Sequence, residues 1–165
     1  MSKANPRPRW DNSMVEELAK TFGHRINEWC NDETPIERCI NAAAEVLQWN
    51  EDGFGYAKGL EKEGFSPDAE LVSILEDVDH EKSIIVERAV VEWAKELPAD
   101  TLKYKDGDKV MAHLYGYGEV ECDVVMVNPL TAEYGVWMSL LPYQRGRGYR
   151  IIGFEHVISE VKNDT

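Results

Sequence analysis

Apolar residues recur at spacings of three and four through the first hundred positions, and then the period changes to two. Val15, Leu18, Phe22, Ile26 and Trp29 fall on one helical face, predicting a helix from a cap at Asp11 or Asn12 to about Asn31. Thr34-Pro35-Ile36-Glu37 combines a Thr cap, Pro at the first helical position and a Glu placed for a capping box. The helix it opens carries Ile36, Ile40, Ala43 and Leu47 inward and runs to about Trp49. Glu51-Asp52-Gly53-Phe54-Gly55 reads as a break, followed by a short helix from Tyr56 to Glu63 with Gly64 as its stop. Ser66-Pro67-Asp68 starts a further helix whose stripe is Leu71, Ile74, Leu75 and Val78. From Asp79 to Leu97 the apolar positions (Ile84, Ile85, Val86, Ala89, Val90, Trp93) wrap most of the circumference, which predicts a helix central to the bundle.

Pro98-Ala99-Asp100 closes the helical half. Strands are predicted at Lys109 to Tyr115, Glu119 to Val127, Tyr134 to Leu141 and Tyr149 to Phe154. A tight turn at Glu155-His156-Val157 leads into a last strand from Ile158 to Val161. The second strand places Val120, Cys122 and Val124 on one face. Five short strands in so few residues suggest a small barrel. The class expected is α+β: an acidic N-terminal helical domain of four to five helices over residues 11–98, then a small five-stranded antiparallel barrel over 103–161. Residues 1–10, with Pro6 and Pro8 between Lys3, Arg7 and Arg9, are expected to form a flexible basic arm. That arm has no apolar run of the kind a secretory signal needs, so none is expected there.

Charge changes the picture because it is uneven. The 165 residues carry a net charge of −13, from 18 basic and 31 acidic side chains. Residues 11–100 hold −14, the first ten +3 and residues 101–165 −2. Non-specific binding to a phosphate backbone relies on Lys and Arg displacing counterions, so direct nucleic-acid binding is disfavoured for the chain as a whole. The acidity thickens at Glu61, Glu63, Asp68, Glu70, Glu76, Asp77 and Asp79, opposed within that stretch only by Lys62. Such a ridge is either a solvated helix face or a carboxylate row that mimics phosphate and occupies a basic cleft. No apolar run is long enough for a membrane helix.

Chemistry adds little. His24, His80, His113 and His156 are scattered without ligand spacing. Asp77-Val78-Asp79-His80-Glu81-Lys82 begins like a calcium loop but has Lys82 where that loop needs glycine. No nucleophile elbow or phosphate loop is present. Cys30, Cys39 and Cys122 are an odd count, expected to stay reduced in a cytoplasmic setting, the first two as small core residues. No enzyme activity, cofactor or metal is expected. The tryptophans read as packing residues, with Trp10 and Trp49 at element edges as candidate interface anchors.

Arg145-Gly146-Arg147-Gly148-Tyr149-Arg150, with Tyr143 before it, is the sharpest local feature. Arg145, Arg147 and Arg150 can grip phosphate or carboxylate while Tyr143 and Tyr149 stack, or the segment is a glycine hairpin turn with solubilising arginines.

Gly107-Asp108-Lys109-Val110, Gly116-Tyr117-Gly118-Glu119-Val120 and Phe154-Glu155-His156-Val157 resemble the SH3-like barrels of KOW, Tudor and CarD-type modules. The resemblance covers a third of the chain and implies a barrel that binds protein, nucleic acid or modified side chains. For a Tudor-type cage it offers Tyr115, Tyr117, Tyr134 and Trp137. The function expected is a non-enzymatic adaptor or inhibitor that binds a basic protein surface through its acidic helices. The narrower form is a phage or mobile-element DNA mimic that blocks a nucleic-acid-binding enzyme, of the anti-restriction or anti-CRISPR kind. The alternative is a nucleic-acid or transcription-associated module that uses the arginine turn.

Overall fold

The computed structural model of the chain describes residues 6–49, 51–138 and 149–161. Two compact units divide it, one spanning Arg7–Ala89 and the other taking in the chain from Val90 onward. Each has its own hydrophobic core.

The first unit is helical. Asp11 caps a 3-10 turn at Asn12–Met14, its carboxylate accepting from the Ser13 N–H at 2.8 Å, and α1 (Val15–Trp29) follows directly. The helix α2 (Ile36–Leu47) begins on Pro35, which makes no side-chain cap bond. Thr34 is therefore not the cap, and its carbonyl instead accepts from Asn27 at 2.6 Å, tying the α1–α2 turn. The buried face of α2 is Cys39, Ala42, Ala43, Val46 and Leu47. Ile36 and Ile40 are only half-buried, which corrects the inward stripe expected from their spacing. The reason lies in the close approach of α1 to α2: a Cβ on Gly23 would stand 2.7 Å from the Cα of Ile40. Backbone meets backbone at that point, which leaves Ile40 at the seam.

The helix α3 runs over Gly53–Lys62, three residues earlier than its expected start. Gly53-Phe54-Gly55 is helix rather than a break, because Asp52 caps it through the Gly55 N–H at 2.7 Å. A Cβ on Gly53 would lie 2.8 Å from the Val72 carbonyl, so glycine here lets α3 sit against α4 (Ala69–Glu76). The helix α5 (Val78–Lys95) sends Val78 and Ile85 into the helical core. Val90 and Trp93 are buried too, but they belong to the second unit, and Ile84, Val86 and Ala89 stay partly accessible. The near-continuous apolar girth of α5 is thus divided between two compact units and is not the centre of one bundle.

The second unit carries a five-stranded antiparallel sheet in the order β4-β3-β2-β1-β5. The strands are β1 (Lys109–Leu114), β2 (Gly118–Asn128), β3 (Glu133–Met138), β4 (Arg150–Gly153) and β5 (Val157–Glu160). Alternation puts Val110, Ala112 and Leu114 of β1, Cys122 and Val124 of β2, and Tyr134, Val136 and Met138 of β3 into one core. The long β2 shifts register against β3 between Val124 and Met126. A 3-10 turn at Phe154–His156 separates β4 from β5, and Phe154 stacks on Trp93 with ring centroids 5.9 Å apart. Lys109 lies 3.0 Å from both Glu121 and Asp123 on the neighbouring strand. No helix among the described residues is long and apolar enough to cross a membrane.

Candidate functional site

The acidic residues of the helical unit do not share one role. Asp68 is the N-cap of α4: its carboxylate accepts from the Leu71 N–H and from the Trp29 indole N–H, both at 3.0 Å. Those bonds, the Leu71 amide first, hold its pKa below the usual carboxylate value. Asp77 pairs with Arg25 at 3.1 Å, and the same guanidinium bonds Glu81 and lies over Phe22. Asp79 is 3.7 Å from Lys82. Glu61, Glu63, Glu70 and Glu76 are exposed and make no ion pair among the described residues.

Helix geometry sorts these four further. On α4, Glu70 and Glu76 are six residues apart and point to different sides. Glu76 follows Ala69 and Val72 on one face, and that face meets the Phe54, Lys58 and Glu61 face of α3. Between them runs a cleft of about 500 Å³ whose walls include Phe54, Ala57, Glu61, Pro67 and Val72. Phe54 is 59% exposed, with the Lys58 ammonium 4.6 Å from its ring centroid. Glu63 lies on the other side of α3, toward α2. A second cleft of about 460 Å³ opens there beside Trp49, Lys62 and Glu63.

Trp49 is 64% exposed. Its backbone is pinned, because the Tyr56 hydroxyl donates to the Trp49 carbonyl at 3.0 Å and accepts from the Glu51 N–H and Lys82. Trp10 differs: it packs against the helical core, with Lys82 5.6 Å from its ring. Phe54 escaped the sequence reading because two glycines flank it. The Asp52 cap two residues before it was the available signal.

In the second unit, Tyr143, Arg145 and Arg147 lie outside the described residues. Tyr149 and Arg150 are exposed. The Tyr149 ring covers Gly135, and the Arg150 guanidinium stands 4.7 Å from the Tyr117 ring centroid. The aromatics offered for a cage do not assemble one. Tyr134 is in the core with its hydroxyl accepting from the Tyr104 N–H, while Tyr115 is 95% exposed. His113 and His156 line one cleft with Arg150, an association their separation in sequence conceals.

Burial pushes the Cys122 pKa up to about 11 and raises that of Cys39. Among the described residues, no group of three or more His, Cys, Asp or Glu side chains is placed to hold a metal ion. No family model, curated protein or solved structure matches this chain.

Proposed function

We propose that this chain is a non-catalytic protein-binding protein whose α3–α4 face takes a basic, partly apolar segment of a partner, so that it acts as an adaptor or inhibitor. One observation carries the reading: exposed Phe54 sits in a groove with Glu61 on its wall and Glu76 continuing the same α4 face. An accessible aromatic set among unpaired carboxylates supplies an anchor and a charge field together. Trp49, on the adjoining cleft, extends the anchor surface. In the narrower form of the proposal, the partner is a nucleic-acid-binding enzyme, and duplex DNA competes with this chain for it.

For the second unit we infer an SH3-like barrel. The strand order β4-β3-β2-β1-β5, the irregularity in β2 and the 3-10 turn joining β4 to β5 support that reading.

The test is capture from nuclease-treated lysate of the source cells, at low and high salt, with the wild type and four variants. A basic protein released by salt should be captured by the wild type and by the charge-matched control Glu28→Lys. Phe54→Ala and Glu61→Lys should each lose it, with the anchor truncation weakening the purified complex by about 2 kcal/mol. Retention by both variants, with loss on Arg150→Glu instead, would transfer the activity to the arginine turn.

A further inference from the structure

Among the described residues, the sheet of the second unit has an open edge along β4, and the end of β1 runs on past its pairing with β5. A cleft of about 600 Å³ is bordered on one side by all four residues of β4, Arg150–Gly153, and on the other by residues 113–115 at the end of β1, with His156 at its margin. Side chains alternate between faces along a strand, so four consecutive residues can border one cleft only along the strand's backbone edge. β4 pairs with β3 and, among the described residues, with no other strand. β1 pairs with β2 as far as Leu114 but with β5 only through Val110, Met111 and Ala112. The Leu114 carbonyl accepts from Tyr117 inside the β1–β2 turn. Alternation of the antiparallel ladder then turns the N–H and C=O of His113 away from β2, toward the open edge.

An open edge is a template for another strand. We propose that this cleft binds an extended peptide segment by strand addition between β4 and the end of β1, with an acidic side chain of the peptide placed at the Arg150 end. Main-chain hydrogen bonds would supply most of the affinity, and alternate side chains would meet Ile151, which is 57% exposed, and Tyr115. The charge preference comes from Arg150, which makes no ion pair among the described residues and is held beside Tyr117. The proposal concerns the second unit alone and does not depend on the role given to the α3–α4 face.

The experiment is an amide NMR titration of the whole chain with acetyl-Glu-Val-Thr-Val-Thr-Val-amide, with its Lys-first counterpart, and with the Glu peptide methylated at alternate backbone nitrogens. Strand addition predicts shifts and slowed hydrogen exchange at His113, Ile151 and Gly153, whose N–H groups face away from their paired neighbours, abolished by the methylation. An exposed charge pair predicts a preference for the Glu peptide of about two- to fivefold, reversed in Arg150→Glu. The proposal is overturned by silence of these amides at millimolar peptide, by equal binding of the methylated peptide, or by a charge preference that Arg150→Glu leaves intact. Tighter occupation of the same amides by oligothymidylate would also overturn it, in favour of a single-stranded nucleic-acid site.

Discussion

Replacing Gly23 by alanine tests the close α1–α2 seam, because two opposing magnitudes can be set against each other. Gly23 lies in the middle of α1, where alanine is favoured over glycine by about 1 kcal/mol on helix propensity alone. The added Cβ would stand 2.5 Å from Ile40 Cγ1, 2.7 Å from its Cα and 2.9 Å from its backbone nitrogen. Carbon atoms prefer about 3.5–4.0 Å, so the mismatch is roughly 1 Å, and a gap of that size forfeits up to half of a contact's dispersion energy. Two of the three opposing atoms are backbone, which no rotamer change can move. Separating the helices would loosen Phe22 and Ile26 against Cys39 and Ala43, all fully buried. Because backbone atoms cannot yield, the cost falls in the upper part of the overpacking range, about 2–3 kcal/mol, and it outweighs the propensity gain. The expected net loss is about 1–2 kcal/mol, a fall in Tm of roughly 2–8 °C for a domain of this size. Ser73→Ala is the control: it lies at an exposed position of α4, so the same gain in helix propensity comes with no overpacking, and stability should hold or rise. Calorimetry with far-UV circular dichroism reads both. A Gly23→Ala protein as stable as the wild type would refute the backbone-to-backbone seam.

Three further outcomes follow from the same structure. Tyr56→Phe removes a buried hydroxyl that serves the Trp49 carbonyl, the Glu51 N–H and Lys82, and urea denaturation should show a loss of about 1–3 kcal/mol. Asp68 has a lowered folded-state pKa, so its cap stabilises fully above the unfolded carboxylate value of about 3.9 and fades as pH falls through the lower folded value. Its carboxyl should titrate in NMR below the ordinary range, moving the Trp29 indole proton with it, and Asp68→Ala should leave that indole proton insensitive to pH. With a pKa of about 11, roughly one Cys122 thiol in a thousand is ionised at pH 8, so iodoacetamide should label half-exposed Cys30 well before Cys122 in the native protein. Labelling of Cys122 at an equal rate would contradict its burial.

Much of the fold is legible in one dimension, because periodicity and capping are local. The change of period near residue 100 separates helices from strands. Asp11, Gly64 and Asp68 act where their chemistry says they should, and the meander β1 to β4 and its closing strand fall within a residue or so of their expected bounds wherever the residues are described. What escaped was decided by contact between elements. Gly53 and Gly55 read as helix breakers on intrinsic preference, yet α3 begins there because an Asp cap and the fit of Gly53 against the Val72 carbonyl outweigh that cost. The girth of α5 marks burial all round, but local sequence cannot say that two compact units divide it. The acidic run likewise has one composition and several fates. Asp68 is drawn into a cap and Asp77 into a pair with Arg25, a residue far back in the chain, while Glu61, beside Phe54, and Glu76, against Gly53, make no ion pair among the described residues. Which carboxylates remain available, and which sheet edges stay open, are long-range consequences of packing. Local pattern fixed the elements of this protein, and only the tertiary structure decided which of their faces were left to bind.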